Sequence, residues 1–173
     1  MQIMLSDADY AECVIRSKSW TDECRSKGWT PSHGMPESQR DAGELIGFLG
    51  EVAFRRLFGD LGFPVRYRFK QEPDALGCEV RTTRYEWGRL IMRDNDPTDR
   101  AYVLMVGQNR LFRCAGYRLG WERKHFKKSG RTLSRPAAWF IEQAALRHPN
   151  GLWMITREAR HRDEVGMEAP NDS

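Results

Sequence analysis

A chain of 173 residues, 40% hydrophobic and 30% charged, has the make-up of one soluble globular domain with enough apolar material for a single core. Its longest apolar runs, such as AYVLMV at 101–106, are far too short to span a bilayer, and MQIMLSDADY lacks the basic and apolar regions of a signal peptide, so a cytoplasmic protein with no membrane association is expected. The net charge is only +4, but it is unevenly spread: between Arg110 and Arg135 basic residues stand at 110, 113, 118, 123, 124, 127, 128, 131 and 135, and Glu122 is the one acid. Such a cluster suits a polyanion, nucleic acid first, or else forms a solvated loop.

A first helix is predicted over 7–25, with Tyr10, Cys13, Val14, Ser17 and Cys24 at helical spacing and Ser6 as N-cap. A loop rich in Gly, Pro and Ser follows over 26–39. A second helix runs from Arg40 to Phe58, with a wide apolar stripe through Leu45, Ile46, Leu49, Val52, Ala53 and Leu57 that calls for burial. Gly47 and Gly50 each cost this helix about 1 kcal/mol relative to Ala, a cost tolerated where a neighbouring backbone must come close.

Strand signals come next: VRYRF at 65–69, CEVRTT at 78–83 and RLIMR at 89–93. DNDPTD at 94–99 is a turn or a single helical turn, and AYVLMV is the candidate central strand, buried on both faces. LFRCAGYRLGW at 111–121 can return beside it. PAAWFIEQAALR at 136–147 reads as a helix with Pro136 in its first turn, and LWMIT at 152–156 as a late edge strand. Trp139 and Trp153 are expected in the core. The order implies one α/β or α+β domain around a mixed sheet. Residues 1–40 form an N-terminal helix and loop, and 41–121 the core. Residues 122–156 carry the basic insertion, helix and late strand, and 157–173 are a frayed tail. Cys13, Cys24, Cys78 and Cys114 have no metal-finger spacing and are expected as free thiols.

The chemistry-bearing stretch is PDALGCEVRTT at 73–83. Strand alternation puts Cys78, Val80 and Thr82 on one face and Glu79, Arg81 and Thr83 on the other. Asp74 can reach the second face from an adjacent turn or strand. Asp74 and Glu79 are the candidate metal ligands, because Mg²⁺ needs only one or two carboxylates besides water and substrate phosphate. The alternative is a charged, exposed strand face with Asp74 starting a turn. Glu51 lies mid-helix in the nearly apolar GFLGEVAF and needs a partner: either Arg55 at i+4 or the metal site, with Glu44 a weaker second candidate.

GEVAF around Glu51, then PD, then EVRTT, then YVLMV and GW resemble, over residues 44–121, the PD-(D/E)XK or restriction-endonuclease-like nuclease superfamily, and most closely its small phage and bacterial members. The resemblance implies an αβββαβ core, a mixed central sheet flanked by helices, and Mg²⁺- or Mn²⁺-dependent phosphodiester cleavage, of DNA before RNA. It implies catalytic roles for Glu51, Asp74, Glu79 and Arg81 and metal ligation by Glu51, Asp74 and Glu79. Arg81 stands where the family has lysine; arginine binds phosphate but is a poor proton acceptor. Lys70 is a candidate to assist. The helix expected before the last core strand is reduced to DPTDR. Arg123, Lys124, Lys127, Lys128 and Arg131, interleaved with Trp121, His125 and Phe126, form the candidate nucleic-acid track, the aromatics serving either as stacking partners or as packing anchors. The alternatives to a nuclease are a nuclease-fold protein that binds nucleic acid without cutting it, and a module for a host protein partner.

Overall fold

The computed structural model describes residues 1–29, 37–63, 73–129 and 137–158. The expected strand at 65–69, Lys70, Arg131, Pro136 and the tail beyond 158 lie outside the described residues. The chain runs β1 (Gln2–Met4), α1 (Asp7–Ser26), α2 (Glu37–Leu57), β2 (Cys78–Thr83), β3 (Leu90–Arg93), β4 (Ala101–Gln108), β5 (Leu111–Leu119) and β6 (Ala138–Ile141). Short 3₁₀ turns follow β5 and β6, and residues 152–158 are helical. The class is mixed α/β, with a mixed sheet flanked by helices.

The main sheet has the order β1-β5-β4-β2. β2 and β4 pair in parallel, Cys78 opposite Ala101 through Thr83 opposite Val106, while β4–β5 and β5–β1 are antiparallel. β4 is central and buried from Ala101 to Val106, as its unbroken apolar run requires. Ala101, Val103 and Met105 meet the helices, and Tyr102, Leu104 and Val106 meet a two-stranded sheet of β3 and β6 on the opposite face.

Helix α1 starts at Ser6 with a reciprocal capping box to Asp9. The same Asp9 carboxylate accepts from Arg56 of α2 at 2.6 and 3.0 Å, which ties the start of α1 to the end of α2. α2 lies directly on β2, and Gly50 makes that approach possible: a Cβ there would stand 1.9 Å from Thr82 Oγ1 and 2.8 Å from Thr82 Cβ. Gly116 (φ 142°) serves the opposite edge. It sits where the β4–β5 register shifts, and a Cβ on it would stand 2.5 Å from the Arg147 carbonyl, where Tyr117 and Arg147 exchange backbone hydrogen bonds.

Two expected elements change type. The helix expected at 136–147 is instead strand β6 and a 3₁₀ turn at Gln143–Ala145. Leu90 and Met92 of β3 are fully buried, and β6 supplies the edge that pairs with them, so tertiary pairing overrides the helical spacing. The strand expected at 152–156 is helical: Leu152 and Thr156, four apart, are both fully buried, with Ile155 packed beside them. Trp153 is not a core residue but half-exposed, edge-on to Phe58 at 4.8 Å, whereas Trp139 packs against the second core. The turn expected at 94–99 contains no helix, so β3 takes the place of a helix in the parallel crossover.

Gly50→Ala is expected to destabilise the protein by about 1–3 kcal/mol through overpacking against Thr82, and Thr82→Ala in the same chain to restore part of that loss. Denaturant titration of the single and double variants measures both.

Candidate functional site

The PDALGC segment is a two-residue hairpin turn. Ala75 and Cys78 exchange backbone hydrogen bonds of 2.8 and 3.1 Å, and both central residues are left-handed, Leu76 at φ 47° and Gly77 at φ 75°. A leucine costs about 1–2 kcal/mol in that conformation, and Leu76 offsets the cost by burying its side chain in the helix-side core. The reversal folds Asp74 back alongside β2, where its Oδ2 accepts the Val80 N–H at 2.9 Å. Asp74 and Glu79 thereby come onto one surface, through a turn rather than through strand periodicity.

Arg81 lies at the centre of that surface. Its Nη1 is 3.5 Å from Asp74 Oδ2 and 3.4 Å from Glu79 Oε2, and its Nη2 is 3.3 Å from Asp96 Oδ1. The guanidinium stands 5.3 Å from the ring centroid of the fully buried Tyr102. Asp96 is fixed from below, accepting the Arg93 N–H at 2.8 Å. Glu79 is fixed from the side, accepting from Arg100 Nη1 at 2.5 Å. Burial raises the Glu79 pKa, and the neighbouring Asp74 raises it further; Arg100 and Arg81 pull it back only in part. Burial alone would lower the Arg81 pKa, but Asp96, Asp74 and Glu79 more than reverse that and hold the guanidinium protonated.

The structure brings Asp74, Glu79 and Arg81 together, and it does not bring Glu51 to them. Glu51 is buried in α2, on the helix side of the sheet, close enough to α1 for its charge to act on the Cys13 thiol. Arg55, the alternative partner for Glu51, instead pairs with Asp60 at 2.5 Å. Glu44 likewise acts on Cys24 of α1. Asp96 and Arg100 complete the cluster, and sequence reasoning passed over both. The signal was the density of acids in DNDPTDR just before the central strand, on the chain that must cross back to pair with β2. A cleft of about 470 Å³ at the carboxyl end of β2 and β4, lined by Thr82, Thr83, Tyr85, Gln108, Leu45 and Leu49 among others, contains none of the clustered acids. The four cysteines are free and buried, and burial pushes the thiols of Cys78 up to about 12 and Cys114 up to about 11, which leaves them inert as nucleophiles.

The basic segment divides into structural and available cations. Arg123 donates to the carbonyls of Arg93 and Asp96 at 2.8 and 2.7 Å and lies over Trp139, so it pins the turn that carries Asp96. Lys128 pairs with Asp94 at 2.5 Å and lies over the same ring. Lys124 and Lys127 are exposed and carry no ion pair among the described residues, with Lys124 beside the half-exposed Trp121. Glu122, the lone acid of the segment, is buried: it accepts the Leu119 N–H at 2.8 Å and pairs with Arg147 at 2.7 Å and Arg118 at 3.1 Å.

Comparison with protein-family models, curated proteins and solved structures finds no match to this chain. Among the described residues no helix is long and apolar enough to cross a membrane, and no group of three or more His, Cys, Asp or Glu side chains could hold a metal ion. Asp74 and Glu79 are a pair of oxygen donors. Carboxylate oxygens are the ligand type of a hard divalent cation, and here the Arg81 guanidinium stands beside both.

Burial works to raise the Glu122 pKa, but the Leu119 N–H, Arg147 and Arg118 win and hold it below the usual carboxylate value. Its contribution to stability is therefore complete above the unfolded-state pKa and is lost as pH falls through the native one. Glu122→Gln is expected to lower Tm at neutral pH, and the deficit relative to the parent protein to close as pH drops below the carboxylate range. Thermal melts across that range measure it.

Proposed function

We propose that the protein is a metal-dependent nuclease that hydrolyses phosphodiester bonds, with DNA as the substrate to test first and a restriction-endonuclease-like core as its fold. The observation that carries the reading is the convergence of Asp74, Glu79 and Arg81 on one polar surface, the arrangement expected of an aspartate, a second acid and a cation two residues further on. Asp74 and Glu79 would hold Mg²⁺ or Mn²⁺. Bound there, the cation would lower the pKa of a water and neutralise charge on a phosphate oxygen. Arg81 would grip a non-bridging phosphate oxygen with its planar fork and stabilise the charge that builds there. It cannot serve as the base, because its pKa is held up rather than down. Hydrolysis adds hydroxide to phosphorus, breaks the bond to the leaving oxygen and returns a proton to that oxygen. Lys124 and Lys127, on the segment that Arg123 anchors to the Asp96 turn, would follow the phosphate backbone.

Incubation with linear and circular DNA, and with RNA, in Mg²⁺, Mn²⁺ or EDTA tests the reading. Asp74→Asn and Glu79→Gln are each expected to lose cleavage by ~10²-fold or more while the circular dichroism spectrum is retained. Full activity in either variant removes the proposal.

One observation favours a second reading, a protein that binds nucleic acid without cutting it. The residue in the lysine position is an arginine already engaged with three carboxylates. On that reading no metal stimulates cleavage, yet Lys124→Ala with Lys127→Ala weakens binding. The slope of log affinity against log salt is expected to fall by about two, roughly one for each phosphate that a lysine no longer neutralises. Fluorescence anisotropy over a salt series measures the slope.

A further inference from the structure

The Arg81 guanidinium is central to the acid cluster, yet it is loosely held. Its distances to Asp74, Glu79 and Asp96, at 3.5, 3.4 and 3.3 Å, are all longer than the roughly 2.7–2.9 Å of a well-formed charge-assisted hydrogen bond. Its Nε is buried without a partner among the described residues. The two acids it touches through Nη1 do not need it for their orientation. Asp74 is held by the Val80 N–H at 2.9 Å, and Glu79 by Arg100 at 2.5 Å. Only Nη2 reaches Asp96, whose own carboxylate is anchored by the Arg93 N–H and whose backbone is anchored by Arg123. Arg81 and Asp74 also remain accessible, with side chains 24% and 22% exposed.

We propose that Arg81 is an exchangeable counter-ion, so that a divalent cation and a phosphodiester must enter this site together. The inference rests on reading the surface as a phosphodiester site and adds its regulation. Without a phosphate, Nη1 neutralises Asp74 and Glu79 and competes with a cation for them. An arriving phosphate offers the guanidinium a bidentate partner. Arg81 then turns on its tether at Asp96 and over the Tyr102 ring, and two oriented carboxylates are released to a metal. Linkage makes the effect reciprocal: the cation tightens phosphate binding by the factor by which phosphate tightens cation binding.

The test is Mn²⁺ binding to the whole protein by titration calorimetry, alone and with a short DNA duplex of phosphorothioate linkages, against a protein-free duplex control. The parent protein is expected to bind Mn²⁺ roughly tenfold more tightly with the duplex than without it. Arg81→Met is expected to bind Mn²⁺ about tenfold more tightly than the parent in the absence of duplex, and to lose the dependence on duplex. Unchanged or weaker Mn²⁺ affinity in a folded Arg81→Met protein overturns the proposal. Should that variant fail to fold, the parent protein decides alone, and equal affinity with and without duplex overturns it. Cleavage is not the readout, so the two readings fail separately: coupling in a protein that cuts nothing removes only the nuclease, and cleavage without coupling removes only the exchange.

Discussion

A part-buried guanidinium beside the fully buried Tyr102 is balanced by acids from three separate segments that close on it. Asp74 comes from a hairpin turn, Glu79 from β2, and Asp96 from the turn after β3. Each is fixed by something local: a left-handed Leu-Gly pair, strand alternation, or an Arg93 N–H. The parallel pairing of β2 with β4 then adds Arg100 and Tyr102 from the neighbouring strand and its approach. Three acids, Asp74, Glu79 and Asp96, pair with two cations, Arg81 and Arg100, and the charge of Asp96 also acts on Arg93. The resulting balance is local, so it survives with little help from the net charge of the chain. Asp74, Glu79 and Asp96 each keep a second partner besides Arg81, so the cluster links the hairpin turn, β2 and the β3–β4 connection without depending on any single contact.

The two faces of β2 show how one short strand serves two purposes. Cys78, Val80 and Thr82 meet α2, and Gly50 lets the helix approach until Thr82 touches its backbone surface. Glu79 and Arg81 meet the other side, where an apolar core of Leu90, Met92, Tyr102, Leu104, Val106 and Ile141 ends against the charged cluster. A rigid helix contact on one face gives the polar face a fixed platform. Side chains that must hold a geometry to fractions of an ångström are better placed on such a strand than on a loop.

What was legible in the sequence followed from period and local chemistry. The N-cap at Ser6, the stripe of α2, the buried run of β4 and the alternation of β2 all have physical signatures within a few residues. What was not legible depended on partners distant along the chain. Residues 138–141 have spacing that suits a helix, and only the need of Leu90 and Met92 for an edge partner makes them a strand. Residues 152–156 are too short for periodicity to separate strand from helix, and burial of Leu152 with Thr156 decides it. In the site, Asp74, Glu79 and Arg81 were readable because they lie close together along the chain, within the single stretch 73–83. Asp96 and Arg100 join them only through the return of the chain to pair with β2. Glu51 drew notice as a buried acid in an apolar helix, but burial does not say which side of the sheet a carboxylate serves.

The choice of arginine at position 81 has its own physical logic. A lysine ammonium is a compact point charge and could approach one or two of these carboxylates closely. A guanidinium is wide and flat: one nitrogen faces the Asp74–Glu79 pair, another faces Asp96, and the plane between them lies near the Tyr102 ring. That breadth spreads one charge over three acids, so no single interaction is short and none is costly to break. Lysine in this position would trade reach for proximity and would also bring a titratable proton. Arginine gives up the proton chemistry and keeps a permanent charge with a planar fork, the group best matched to the tetrahedral oxygens of a phosphate.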